Sequence, residues 1–173
     1  TYANITPPGA RQSVKGVVTG KSLACGGSLG REEATGQGVL YALRHWCGEN
    51  SVRLDGLKVT VQGFGNVGSH FAELAAEAGC HIVAVADHTG TVRADGGLDI
   101  HKLRSWVADT GGVGGYPAAD EITTEELFSE EADVFVPAAL ENQLTAMRAR
   151  SLKVRLVIEA ANGPTTPHAE AVL

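Results

Sequence analysis

Lys58-Val59-Thr60-Val61-Gln62-Gly63-Phe64-Gly65-Asn66-Val67-Gly68 decides the fold of this chain, together with His81-Ile82-Val83-Ala84-Val85-Ala86-Asp87 a little further on. An apolar, β-branched run leads into three glycines at G-x-G-x-x-G spacing. An amphipathic stretch follows to Gly79, and a second apolar run ends in an acid. This is the order strand, glycine turn, helix, strand, carboxylate. Each glycine has its own task. Gly63 permits the tight turn off the strand, Gly65 lets backbone approach a pyrophosphate, and Gly68 lets the helix pack close to the sheet. The helix opening at Asn66 directs free N–H groups and its positive dipole end towards phosphates. Asp87 stands about 20 residues past the turn, where a carboxylate accepts ribose hydroxyls. With 22 glycines in 173 residues, the spacing alone arises by chance about 0.3 times in a chain of this length. The flanking pattern, not the bare motif, carries the reading.

Outward from this unit the chain alternates strands and helices. Apolar positions Val39, Leu40, Leu43, Trp46 and Cys47 follow a Gly26–Gly30 loop at helical spacing, with Gly48 as the stop. Asp99 caps a helix through Leu103, Trp106 and Val107, and Thr123-Thr124-Glu125-Glu126 opens another. Further strands are expected over 132–136 and 154–158, and turns, with a small hairpin, over 89–97. Apolar strands alternating with helices predict an α/β fold, a doubly wound Rossmann-type parallel sheet with helices on both faces. Residues 1–16 read as an entry segment or linker and 17–173 as one dinucleotide-binding domain. Thr1 and the freshly capped helix before Leu173 suggest a piece of a longer protein, incomplete at its C-terminal end.

Composition narrows the function. Hydrophobic content of 43% and charged content of 20% suit a globular domain. A net charge of −6 argues against nucleic acid and anionic membrane as partners. Cys25, Cys47 and Cys80 lack disulfide or metal spacing and read as free thiols, consistent with a cytoplasmic protein. No metal site is expected, since the six histidines are scattered, and no catalytic set is legible: no Ser/His/Asp arrangement and no carboxylate pair. Pro137-Ala138-Ala139 and Glu159-Ala160-Ala161-Asn162-Gly163 follow strands at the ends where ligands sit in open sheets. They are either the walls of a flat-ring site or ordinary strand-to-helix turns. Thr35, in the first turns of its helix, either holds a carboxamide or bonds the preceding turn.

Six ordered blocks carry a resemblance to glutamate dehydrogenase, in the family of glutamate, leucine, phenylalanine and valine dehydrogenases. They are Val18-Thr19-Gly20-Lys21, Gly26-Gly27-Ser28-Leu29-Gly30-Arg31, Ala34-Thr35-Gly36, Gln62 to Gly68, Val136 to Glu141, and Ala161 to Thr166. The resemblance implies the cofactor-binding domain of a homohexameric enzyme. That enzyme oxidises L-glutamate to 2-oxoglutarate and ammonia, with hydride transfer to NAD or NADP. It also implies that Thr35 contacts the nicotinamide carboxamide, that Phe64, Gly65, Asn66 and Val67 lie along the pyrophosphate, and that Asp87 lies near the adenosine ribose. Ala138, Ala139 and Asn162 would line the nicotinamide side. The family's lysine and aspartate that handle proton and water steps belong to a substrate domain preceding residue 1. The chain alone is therefore expected to bind dinucleotide without turning over glutamate. A carboxylate at Asp87, followed by His88-Thr89-Gly90 with no Lys or Arg, favours NAD over NADP. A protonated His88 would soften that preference at low pH. The rival readings are a leucine, phenylalanine or valine dehydrogenase domain and a non-catalytic dinucleotide-binding module.

Overall fold

A computed structural model describes residue 17 and residues 20–173; the expected linker over 1–16 and Val18-Thr19 of the first motif block lie outside the described residues. Helix α1 spans Ala34–Glu49, strand β1 Lys58–Gln62, helix α2 Asn66–Glu77 and strand β2 His81–Ala86. Strand β3 (Thr91–Arg93), helix α3 (Ile100–Thr110), strand β4 (Asp120–Ile122) and helix α4 (Thr124–Ser129) follow. The chain closes with strand β5 (Val134–Pro137), helix α5 (Ala146–Ser151), strand β6 (Leu156–Val157) and helix α6 (Pro167–Glu170).

The six strands lie in the order β4-β3-β2-β1-β5-β6. β2, β1, β5 and β6 are mutually parallel, and β1 stands at the switch point with β2 on one side and β5 on the other. The expected sheet was parallel throughout. In the structure β3 pairs antiparallel with β2, and β4 antiparallel with β3. Thr91-Val92-Arg93 thus forms a strand within the 89–97 stretch where turns and a small hairpin were expected, and Asp120-Glu121-Ile122 adds an unforeseen charged edge. Three further boundaries differ. α1 runs through Gly48 to Glu49, because a helical glycine with open space beside it costs only propensity. The last strand shrinks to Leu156–Val157, and the third begins at Val134.

β1, β2 and β5 are buried on both faces after their first residues, which is why they read as continuous apolar runs. On one face Val59, Val61, Ile82, Val85, Val134 and Val136 pack against Leu40 and Leu43 of α1, Phe71 of α2 and Leu103 of α3. On the other, Ala84, Ala86 and Phe135 pack against Leu127 and Phe128 of α4, Ala149 of α5 and Ala169 of α6. β2 meets both faces out of simple alternation. Val59 pairs with Ile82 but Thr60 pairs with Ala84, so Val83 is an extra residue that shifts the phase of everything after it. α1 and α2 cross tightly at Gly36, where a Cβ would stand 2.7 Å from the backbone nitrogen of Phe71.

Candidate functional site

The glycine turn occupies the carboxyl end of β1, stitched to strands on either side. Gly63 N donates to Ala86 O at 2.7 Å, and Ala138 N donates to Gln62 O at 2.7 Å. Gly63 takes φ +99°, and a Cβ there would stand 2.7 Å from the backbone of Ala138 and Ala139. Any L-residue would be strained and crowded at once. At Gly68 a Cβ would be driven into the carbonyl oxygen of Gly63, with the carbonyl carbon at 3.0 Å and the Ala138 Cβ at 3.3 Å. Close packing of helix on turn therefore requires glycine at 68. Gly65, the N-cap of α2, is the opposite case: nothing lies within 4 Å of where its Cβ would be. A bare backbone facing open space, beside the free first-turn N–H groups of a helix, fits an approaching pyrophosphate.

Two cavities flank this turn and share Ala138, Ala139, Leu140 and Gln143. One, of about 510 Å³, is walled by Gln62, Gly63, Phe64, Gly65, Asp87 and His88, with Thr124 opposite. The other, of about 890 Å³, is walled by Arg31, Thr35, Val39, Val67, Glu159 and Asn162. Thr35 sits exposed in the first turn of α1 and lines the second cavity. The residues singled out in the sequence thus fall into two groups around one turn: Gly63, Phe64, Gly65 and Asp87 on one side, Thr35, Val67 and Asn162 on the other, with Ala138 and Ala139 between. Gly68 lines neither cavity and serves packing. Asn66 lines neither as well. Its side-chain Nδ2 donates to Glu32 O at 3.0 Å, tying α2 to the loop ahead of α1.

Asp87 is more constrained than its place at a strand end suggested. Oδ1 accepts from Thr89 N at 2.7 Å and from Thr89 Oγ1 at 2.6 Å, while Oδ2 accepts from Val113 N at 2.9 Å. These bonds close the turn after β2, and the same residue lines the first cavity. Gln62, Thr124 and Gln143 were not singled out. Gln62 is buried, yet its Oε1 has no partner among the protein atoms. Its signal was available: a polar residue closing an apolar strand against a glycine turn. Gln143 had none, because its place depends on Arg148, which donates to Gln143 O at 2.9 Å while pairing with Glu125 of α4 at 2.6 Å. Among the described residues Arg31 is the sole Lys or Arg lining either cavity. Three or more His, Cys, Asp or Glu placed to hold a metal ion occur nowhere among the described residues. No described helix is long and apolar enough to cross a membrane.

A parallel sheet reversing at β1, a glycine turn at that switch point and a crevice across the strand ends define a doubly wound α/β domain of the Rossmann type. Residues 26–173 match the profile of the Glutamate/Leucine/Phenylalanine/Valine dehydrogenase family, and the chain belongs to that family. It is 43% identical over 159 residues to the NADP-specific glutamate dehydrogenase A1 of Halobacterium salinarum, covering 91% of this chain and 38% of that protein. Among solved structures, the hetero-hexameric glutamate dehydrogenase of Thermus thermophilus in its leucine-bound form superposes with a TM-score of 0.83 at 41% identity. The match covers 91% of this chain and 37% of that one. Glutamate dehydrogenase 2 of Plasmodium falciparum gives a TM-score of 0.83 at 26% identity, with 95% and 40% covered. The chain thus spans well under half the length of these relatives.

Proposed function

We propose that residues 17–173 form the dinucleotide-binding domain of a glutamate dehydrogenase, with residues 1–16 as its entry segment. The carrying observation is the open backbone at Gly65, lining the first of two cavities that share one wall. When bound, NAD(P) supplies the acceptor for the hydride removed from the α-carbon of L-glutamate. The chain's own residues bind and orient. Phe64, Gly65 and the backbone of Asn66 and Val67 receive the pyrophosphate, Asp87 accepts a ribose hydroxyl, and Gly63 and Gly68 hold the turn in shape. Thr35 holds the carboxamide, and Ala138, Ala139 and Asn162 make the wall against which the nicotinamide lies. Groups outside this chain carry the proton and water steps, and the full-length protein is a cytoplasmic homohexamer. The hexameric part of that reading is supported by the hetero-hexameric Thermus relative.

NAD is the preferred cofactor on this reading, because the Asp87 side of the crevice offers a carboxylate and a histidine but no Lys or Arg among the described lining residues. NADP is the second reading, favoured by the NADP-specific Halobacterium relative. Titration of the purified chain with NADH and with NADPH, followed by nicotinamide fluorescence, decides between them. Binding of neither would overturn the dinucleotide reading, and glutamate-dependent NADH production by the chain alone would overturn binding without turnover.

A further inference from the structure

The glycine run Gly111–Gly115 touches the site through Val113 N. It wraps onto Thr89, two residues past Asp87. Gly114 N donates to Thr89 Oγ1 at 2.9 Å, and that hydroxyl in turn donates to Asp87 Oδ1 at 2.6 Å. Val113 N reaches Asp87 Oδ2 at 2.9 Å from the same loop. No side chain fits between: a Cβ at Gly112 would collide with the Thr89 side chain, and one at Gly114 would stand 2.7 Å from Thr89 O. Gly90 closes the other side, where a Cβ would meet Gly114 Cα at 3.2 Å. The loop therefore lies flush on the turn after β2.

We infer that Thr89 and the 111–115 loop form a clasp that positions Asp87, so that cofactor choice depends on a hydroxyl that touches no cofactor. A carboxylate has about four acceptor positions. Three are taken here, two on Oδ1 and one on Oδ2, which leaves Oδ2 with a single position to offer a ligand. Asp87 consequently accepts one ribose hydroxyl and not two. Its side chain is held in a single rotamer by donors from two separate segments, and Thr89 couples those segments because its hydroxyl both accepts from one and donates to the carboxylate. A carboxylate released from this clasp would turn freely, so that its aim at a 2′-hydroxyl and its repulsion of a 2′-phosphate would both be blurred.

The inference rests on the assignment of Asp87 to the adenosine ribose, and the test separates the two. NADH and NADPH affinities are measured by fluorescence titration of the full chain and of Asp87→Ala, Thr89→Val and Thr89→Ser. Asp87→Ala is expected to erase the preference between the two cofactors. Thr89→Val, which keeps shape and loses the hydroxyl, is expected to weaken NADH about tenfold, with NADPH changed less than about threefold. Thr89→Ser is expected to restore the parent ratio. If Asp87→Ala shifts the ratio and Thr89→Val does not, the clasp is overturned while the ribose assignment stands. If Asp87→Ala leaves the ratio unchanged, the assignment falls and takes the clasp with it. Should Thr89→Val fail to fold, Thr89→Ala compared with Thr89→Ser reads the same hydroxyl.

Discussion

Gly65 and Gly68 stand three residues apart in one motif, yet alanine should fail at each for a different reason. At Gly68 the new methyl meets the carbonyl of Gly63 and the Cβ of Ala138, and the closest atoms are backbone at the sheet's switch point. Nothing there can rotate away. Overpacking a well-filled site costs about 1–3 kcal/mol where side chains can adjust, so with backbone as the obstacle the upper end, about 3 kcal/mol, is the expected loss. For a domain of this size that lowers Tm by roughly 6–12 °C. At Gly65 the methyl enters empty space at an ordinary negative φ of −76°. The folding cost is then no more than that of a poorer N-cap, about 1 kcal/mol or less. That methyl, however, occupies the approach of the pyrophosphate, and NADH affinity should fall at least about tenfold, the loss of one charge-assisted contact. Thermal unfolding by circular dichroism and NADH titration on both variants check the pair. A Gly68→Ala chain that unfolds within about 2 °C of the parent would show that the helix does not need glycine there, and a Gly65→Ala chain that binds NADH normally would show that no pyrophosphate approaches at 65.

Other consequences are measurable with the same protein. Thr123 caps α4 in a reciprocal box with Glu126, so Thr123→Ala should cost about 0.5–2 kcal/mol in urea unfolding, and an unchanged midpoint would show the cap idle. The Arg148 guanidinium holds the Glu125 carboxyl below its ordinary value of 4.5. The unfolded chain then binds that proton more readily. Stability from the pair is present above about pH 4.5 and lost as pH falls through the lower folded value. Arg148→Met should flatten acid unfolding in that window; an unaltered acid limb would mean the exposed pair contributes nothing. Burial pushes the Cys80 thiol up to about 11 and raises Cys47 as well, while Cys25 is exposed. A disulfide reagent at neutral pH should therefore modify Cys25 quickly and the other two only on unfolding. Rapid reaction of all three thiols in the native chain would contradict the buried placement.

The centre of the fold was legible in the sequence, and the periphery was not, for reasons visible in particular residues. Val59, Val61, Val134 and Val136 announce strands because both faces of the central sheet exclude water, and the three glycines announce the turn because each position tolerates nothing larger or is needed bare. β4 could not be read, since Asp120-Glu121-Ile122 has no apolar pattern and pairs at an edge where charge is tolerated. α5 escaped for a similar reason: Ala146 to Ser151 is short and buries one residue, Ala149. Around the two cavities, most lining residues singled out in the sequence lie in a local motif, Gln62 being passed over despite its place there, while those that depend on distant pairing were missed. Gln143 is fixed by Arg148, and the neighbourhood of Asp87 depends on a loop more than 20 residues later.

The extra residue in β2 has a consequence for how this sheet tolerates change. Because Val83 advances the alternation by one, Ala84 and Ala86 fall on the side occupied by Phe128 and Phe135, whose rings lie 5.3 Å apart. Small residues thus meet bulky aromatics, and the larger Ile82 and Val85 go to the aliphatic side. Remove Val83 and Ile82 is followed directly by Ala84 in regular alternation, so Ala84, Val85 and Ala86 keep their partners in β1 and both sets stay on their present faces. A point substitution in β2 disturbs one contact. A one-residue deletion at the bulge removes the local irregularity and leaves both layers of the core in place, so the strand carries one residue of slack in its length.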